Sequence, residues 1–338
     1  MNILVRLPNW LGDIVMSSGF LRALSKSYPG STIDIIIKDS LKELLPLLPG
    51  VTNHFIFSKK VYKGLTGTIQ FGQYCARQKK YDLYFTLPES FSSALSGYFS
   101  KSTKRAGYSS EFRSFLLTDA YNKPENLHRA EEYVHLLNNF QSGRLNAIEV
   151  KLEYKDIENN SCLFSENCSD RLKILINIHS AAQSRKIPSA KAVSLCKLLI
   201  KRFNAHLLFT GIADEMKSTR SVISAINAPE HCTDFSGKLD LVSLSQLCTM
   251  VDFVISSDSG IAHIANALDK HVFVFFGAGN EKNTAPYNSE KCTVIRADGI
   301  PCAPCISNTC RYGHVHCMNL IDENKLIEAI SSYLTKQS

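Results

Sequence analysis

A chain of 338 residues, 44% hydrophobic and 20% charged, has room for two cores and the balance of a water-soluble globular protein. No apolar run reaches membrane-span length, and Met1-Asn2-Ile3-Leu4 opens straight into a strand pattern without a signal-peptide signature. An integral helical membrane protein is excluded, and a cytoplasmic location is expected.

In chain order, short β-branched runs alternate with helical patterns, the signature of parallel sheets with crossover helices. The first half predicts strands at Asn2–Leu7, Thr32–Lys38 and Asp82–Leu87, and helices at Ile14–Ser27, Gly67–Gln78 and Leu127–Phe140. Polar Asp156–Ser169 reads as a linker. Strands follow at Leu172–Ile178, Ala205–Thr210, Phe253–Ser256 and Val272–Phe276, with helices at Ala190–Phe203, Asp214–Ile226 and Leu241–Met250. Asp322–Leu334 is a final amphipathic helix. The expectation is an N-terminal domain over 1–160 and a second over 161–320. A terminal helix over 321–338 is expected to pack back on the first. Two doubly wound α/β domains would face a cleft, with ligands beyond the carboxyl ends of their strands.

Net charge is +7 and uneven: residues 1–160 hold 20 Lys and Arg against 15 Asp and Glu, whereas residues 161–338 hold 18 against 16. Basic groups gather at Lys59-Lys60-Lys63, Arg77-Lys79-Lys80 and Lys101-Lys104-Arg105. Singly these are ordinary solvated positions; together they suit an anionic partner such as an acidic lipid surface. Zinc-finger spacing, a basic recognition helix and aromatic–basic interleaving are all missing, so nucleic acid is not an expected partner.

Three segments carry the chemistry. In Pro8-Asn9-Trp10-Leu11-Gly12-Asp13, Asp13 follows the first strand. It suits either a helix N-cap or a carboxylate kept ionised by the helix dipole and ready to act as a base. The turn is not GxGxxG, which disfavours a dinucleotide-dependent dehydrogenase. In Ile255 to His263, a strand, a tight turn and a helix start direct backbone N–H groups at one point, which suits a phosphate. Ser259 and Gly260 can serve a pyrophosphate, Asp258 suits sugar hydroxyls or a cap, and His263 lies one turn on, as a ligand or an interior histidine. Gly277-Ala278-Gly279-Asn280 follows the next strand as a closing loop or a plain turn. The third segment, Asn177 to Pro188, presents Arg185 and Lys186, which could neutralise charge on a departing diphosphate.

Taken together, Asn9-Trp10-Leu11-Gly12-Asp13, Arg185-Lys186-Ile187-Pro188 and Asp258 to His263 through Phe276-Gly277 resemble family 9 glycosyltransferases, the bacterial ADP-heptose:lipopolysaccharide heptosyltransferases. The resemblance runs nearly end to end. It implies a GT-B fold with an interdomain cleft and an inverting transfer of heptose from ADP-heptose, with no cofactor or metal. The implied acceptor is the heptosylated Kdo–lipid A inner core, and the implied location is the cytoplasmic surface of the inner membrane. Asp13 would be the general base. Arg185 and Lys186 would meet the donor phosphates, as would Ser259, Gly260 and His263. Asp258 would meet the heptose, Glu215 the ribose and Leu239 the adenine. Arg185 stands where the family usually has Lys, a change from a point charge to a planar fork, and Ile187 stands where Trp is common. The same transfer from another nucleotide-sugar fits the pattern too.

Eleven cysteines complete the reading; seven, Cys196 and Cys248 among them, lie in apolar segments as small core residues. Cys302, Cys305, Cys310 and Cys317, with His314 and His316, form C-x2-C-x4-C-x6-C. That spacing could bind zinc or an iron–sulfur cluster, for which paired CxxC groups would be stronger evidence; the resembled family carries similar cysteines without needing a metal, so the resemblance implies structural or free thiols. A metal-holding, non-catalytic regulator on the same fold is the competing reading.

Overall fold

A computed structural model describes residues 1–143, 145, 147–154 and 171–337. The segment Asp156–Ser169, read as a linker, lies outside the described residues. The chain divides into two compact units, Met1–Glu153 and Tyr154–Ser338.

In the first unit, β1 (Asn2–Arg6), β2 (Thr32–Lys38), β3 (Asn53–Phe57), β4 (Leu83–Thr86), β5 (Lys104–Tyr108) and β6 (Asp119–Tyr121) form one sheet in the order β3-β2-β1-β4-β5-β6. Every pairing is parallel. Helices α1 (Leu11–Ser27), α2 (Gly64–Gln78), α3 (Phe91–Phe99) and α4 (Arg129–Gln141) make the crossovers and flanks. Strands β1 and β2 are apolar runs buried on both faces, as parallel strands under helices must be. Phe20 of α1 meets the edge of Phe85, whose ring meets Phe140, tying α1 to β4 and α4.

The second unit repeats the plan. Strands β7 (Lys173–Asn177), β8 (His206–Phe209), β9 (Cys232–Asp234), β10 (Phe253–Ser257), β11 (Val272–Phe275) and β12 (Cys292–Ile295) run β12-β11-β10-β7-β8-β9, again all parallel. Read from either edge, this is the first unit's order, the doubly wound pattern whose switch point lies between β7 and β10 here and between β1 and β4 there. The helices are α5 (Ser189–Phe203), α6 (Met216–Ile226), α7 (Leu241–Met250), α8 (Gly260–Ala267), α9 (Glu281–Thr284), α10 (His316–Asn319) and α11 (Glu323–Gln337). Helix α11 spends its apolar face in the second unit. Leu326 and Ile330 are fully buried in that core, and Tyr333 lies edge-on to Phe253 and Phe273. No helix among the described residues is long and apolar enough to cross a membrane.

Candidate active site

The second unit gathers its polar groups at the switch point, where the loops after β7 and β10 diverge. Strand β10 turns at Asp258 into α8, with Ser259 in an extended conformation at the N-cap position. No side chain caps this helix, because the Ser259 hydroxyl is engaged elsewhere. It accepts from Asn177 Nδ2 at 2.8 Å and lies 3.1 Å from Ser256 Oγ. Asn177, the last residue of β7, also reaches the carbonyl of His179 and Ser256 Oγ. Ser257 donates to the same His179 carbonyl at 2.5 Å, and Ser180 donates to the Asp258 carbonyl at 2.9 Å. These bonds stitch the β7 loop to the β10 turn; within the first turn of α8 the Ala262 amide donates back to the Ser259 carbonyl at 3.2 Å, and the uncapped helix start ahead of it suits phosphate.

Asp258 is the electrostatic centre. Its carboxylate is 5% exposed, with Arg185 Nη1 3.2 Å from Oδ2. The pair attracts without hydrogen-bond geometry: Oδ2 is buried with no hydrogen-bond partner, and so is Arg185 Nε. Burial pushes the Asp258 carboxyl up to about 6, against the opposing pull of Arg185. Gly279 makes room for it, since a Cβ there would stand 2.3 Å from Oδ2. An orphaned buried acceptor beside a half-satisfied guanidinium is a place for a hydroxyl and an anionic oxygen.

Glu215 closes the next side. Its Oε2 accepts from the Ile212 amide at 2.9 Å, and Oε1 lies 3.9 Å from His179 Nδ1. Thr219 Oγ1 donates to the Glu215 carbonyl and lies 2.8 Å from His179 Nε2. The threonine's single proton is thereby used, so His179 Nε2 is the donor and Nδ1 faces Glu215 as a second acceptor. Burial, then Lys186, holds the His179 imidazole below its usual range, with Glu215 opposing. Lys186 is half-buried and has no carboxylate within ion-pair distance among the described residues. Leu239 is half-buried in the turn beyond Gly237, whose amide donates to the Gly211 carbonyl at the end of β8. Gly260 opens α8, and His263 is buried one turn in.

The cysteine-rich segment props this site. The Ser184 amide donates to the Asn308 carbonyl at 3.1 Å, the Ser184 hydroxyl donates to the Ser307 carbonyl, and the Ile306 amide donates to the Ala278 carbonyl at 2.9 Å. A Cβ on Gly277 would meet Met318 Sδ at 2.6 Å and Cys317 Sγ at 3.0 Å. Cys302, Cys305, Cys310 and Cys317 are free thiols. Among the described residues no group of three or more His, Cys, Asp and Glu is placed to hold a metal ion.

In the first unit, Asp13 is half-buried in the first turn of α1, at the β1/β4 switch point. The N-cap weighed for it falls to Trp10, which makes no side-chain cap. Asp13 acts on Arg129 and Tyr133 of α4. Burial, then the Asp13 charge, drives the Tyr133 phenol well above its ordinary value. Burial lowers the Arg129 guanidinium, but Tyr133, Glu132, Asp13 and Glu89 outweigh it and leave a net rise. Arg129 Nη1 lies 2.8 Å from Glu132 and 3.5 Å from Glu89, and Lys123 Nζ bridges the same two carboxylates at 3.4 and 2.6 Å. Arg6 lies buried at the end of β1, its guanidinium 4.7 Å from the Phe57 ring centre, with burial lowering its pKa to about 10.

Asn177, His179, Thr219 and Arg129 escaped the sequence reading as site residues. A polar Asn closing an otherwise apolar strand was the available signal for the first; the others show only in three dimensions.

Comparison with known proteins gives a consistent answer. The family described as glycosyltransferase family 9 (heptosyltransferase) matches residues 75–316. The chain is 29% identical to lipopolysaccharide heptosyltransferase 2 of Salmonella typhimurium over 88% of each chain. It is 26% identical to lipooligosaccharide heptosyltransferase 2 of Haemophilus ducreyi, over 88% of this chain and 90% of that one. In fold it is similar to the E. coli ADP-heptose lipopolysaccharide heptosyltransferase II structure, with a TM-score of 0.82, 23% identity, and coverage of 100% of this chain and 99% of that one. A family 9 transferase from Veillonella parvula gives a TM-score of 0.85 at 20% identity, over 99% and 97% of the two chains.

Proposed function

Since the chain belongs to glycosyltransferase family 9, the heptosyltransferases, we propose that it moves heptose from ADP-heptose to the lipopolysaccharide inner core in the manner of heptosyltransferase II. The observation that carries the reading is Asp258: a buried carboxylate oxygen lacking a hydrogen-bond donor, beside the Arg185 guanidinium, at an uncapped helix start. A heptose hydroxyl supplies the missing donor, and diphosphate oxygens meet Arg185, Lys186, Ser259 and the N–H groups from Gly260 onward. His263 lines the same helix turn. Glu215 and His179 Nδ1 are two acceptors for a ribose diol, and Leu239 offers the adenine an apolar neighbour.

The reaction is an inverting displacement. Asp13 takes the proton of the acceptor hydroxyl, whose oxygen bonds to the anomeric carbon as the bond to the diphosphate breaks. Arg185 and Lys186 meet the charge gathering on ADP, so the reading assigns no step to a metal. The acceptor is lipid A–Kdo–heptose at the cytoplasmic surface of the inner membrane, where the protein works as a peripheral enzyme.

The test is ADP release from purified protein, ADP-heptose and a heptosylated Kdo–lipid A acceptor. Asp13→Ala should abolish release while ADP affinity persists. Full turnover by that variant removes the base assignment, and turnover only with a different nucleotide-sugar moves the donor assignment within the family.

A further inference from the structure

The parallel sheet of the first unit sends every strand-to-helix loop out of one end, and that end is unusually apolar at its tips. Trp10 follows β1, Val61 and Leu65 follow β3, and Phe112 and Phe115 follow β5. Phe112 is 96% exposed, Phe115 72% and Val61 70%; Trp10 and Leu65 are exposed as well. Scattered apolar surface is ordinary, but large side chains at three loop tips on one end of one sheet are a pattern.

Two of the tips are built to hold that exposure. Glu111 and Phe112 are consecutive residues with φ of 46° and 53°, a left-handed conformation that non-glycine residues keep only when their surroundings hold it. The Glu111 carboxylate accepts from the Phe91 amide at the start of α3. Fully buried Arg113 bonds the carbonyls of Tyr108, Pro88 and Ser90 and the hydroxyl of Ser93. With its neighbours pinned on both sides, Phe112 points into solvent. At the β3 tip, Tyr62 is the inward anchor, stacked on Phe57 and edge-on to Phe71. Gly67 lets the backbone of Tyr62 approach so closely that a Cβ would stand 2.3 Å from its carbonyl carbon. Val61 and Leu65 are left outside.

Around the β3 tip the charge has one sign. Residues 44–81 contain no Asp or Glu and six Lys and Arg. Lys59, Lys60 and Lys63 stand exposed beside Val61. We propose that the carboxyl end of this sheet is a bilayer-docking face: the five apolar side chains at these three tips enter the headgroup–acyl boundary of an anionic membrane while Lys59, Lys60 and Lys63 meet its headgroups. Lys101 precedes β5 and Lys104 opens it, at the opposite end of the sheet, and both are outside this face. The proposal extends the acceptor reading above, but its test needs no sugar transfer. A protein that docks yet is inactive sinks only that reading, and one that is active yet fails to dock sinks only this one.

Trp10 is the sole tryptophan and reports directly. The experiment is co-sedimentation with mixed phosphatidylcholine–phosphatidylglycerol vesicles against pure phosphatidylcholine, with Trp10 emission read on the bound protein. Binding to the mixed vesicles with a blue shift is expected. Reversal of Lys59, Lys60 and Lys63 to Glu should weaken partitioning by about fivefold or more per lysine. Phe112→Ser with Phe115→Ser should weaken it by about tenfold or more, while Lys101→Glu with Lys104→Glu should change little. Equal binding by all variants, an equal loss at Lys101 and Lys104, unshifted Trp10 emission on bound protein, or displacement by soluble phosphorylated core sugar would overturn the proposal.

Discussion

The two units share one strand order yet treat the carboxyl ends of their sheets in opposite ways. The first, Met1–Glu153, carries 19 Lys and Arg against 13 Asp and Glu and projects apolar tips. The second, Tyr154–Ser338, is nearly neutral at 19 against 18 and draws polar groups inward: Asn177, His179, Ser180, Ser256, Ser257, Asp258 and His263 are all buried at its switch point. A doubly wound sheet dictates where loops emerge, not what they carry. On the two proposals above, one copy of the plan meets something large and anionic, and the other holds something small among prewired buried polar groups.

The contrast breaks most sharply at the first unit's carboxylate. Asp13→Asn should lower turnover by about two to four powers of ten with ADP affinity nearly unchanged by calorimetry; parallel losses in both would put Asp13 in donor binding. Next is Arg113→Ala, which strands the carbonyls of Tyr108, Pro88 and Ser90. A loss of about 3 kcal/mol is expected, read as a lower melting temperature with an unaltered ADP site in the folded protein. In the second unit, Gly279→Ala pushes a methyl against the Asp258 carboxylate. It should raise the donor KM and lower kcat/KM by about a hundredfold, the scale of a misplacement near 1 Å. Asp258 also sets a pH signature. Folding raises its pKa from 3.8 to about 6, so the folded state holds the proton more tightly. Stability from this group is complete below the lower value and gone above the upper one. Asp258→Asn should flatten the melting-temperature profile across that window, and an unchanged slope would remove the burial argument. The smallest effect is expected at Ser259→Ala, a few-fold loss of ADP affinity, because Asn177 and the α8 N–H groups remain.

Much of this was legible beforehand, for identifiable reasons. Strands β1, β2, β7, β8, β10 and β11 are mostly apolar and almost entirely buried, so hydrophobic runs announce them. Strand β3 is mostly exposed, β5 begins with Lys104-Arg105, and β6 and β9 have three residues each, too little pattern to read. The turn at Asp258 showed itself by a strand ending in small polar residues before a helix. The crossing of Asn177 to Ser259, 82 residues apart, did not, since local patterns carry no information on such pairings. Helix α11 is amphipathic on its face; which core receives that face is a tertiary matter.

The segment that props Arg185 and the Gly277–Gly279 loop also contains Cys310, a thiol whose pKa is lowered. Backbone N–H groups of residues 312–315 turn toward Cys310 and lower its pKa, with Val315 the largest contributor. Asn308, whose carbonyl anchors Ser184, is two residues away. A thiolate-seeking alkylator therefore has a handle in the cavity that Cys310 lines with Ser184, Ala278 and Cys305. A bulky adduct there would disturb the brace that Asn308 gives Ser184, and on the function proposed above it would weaken ADP binding without touching the donor's own contacts.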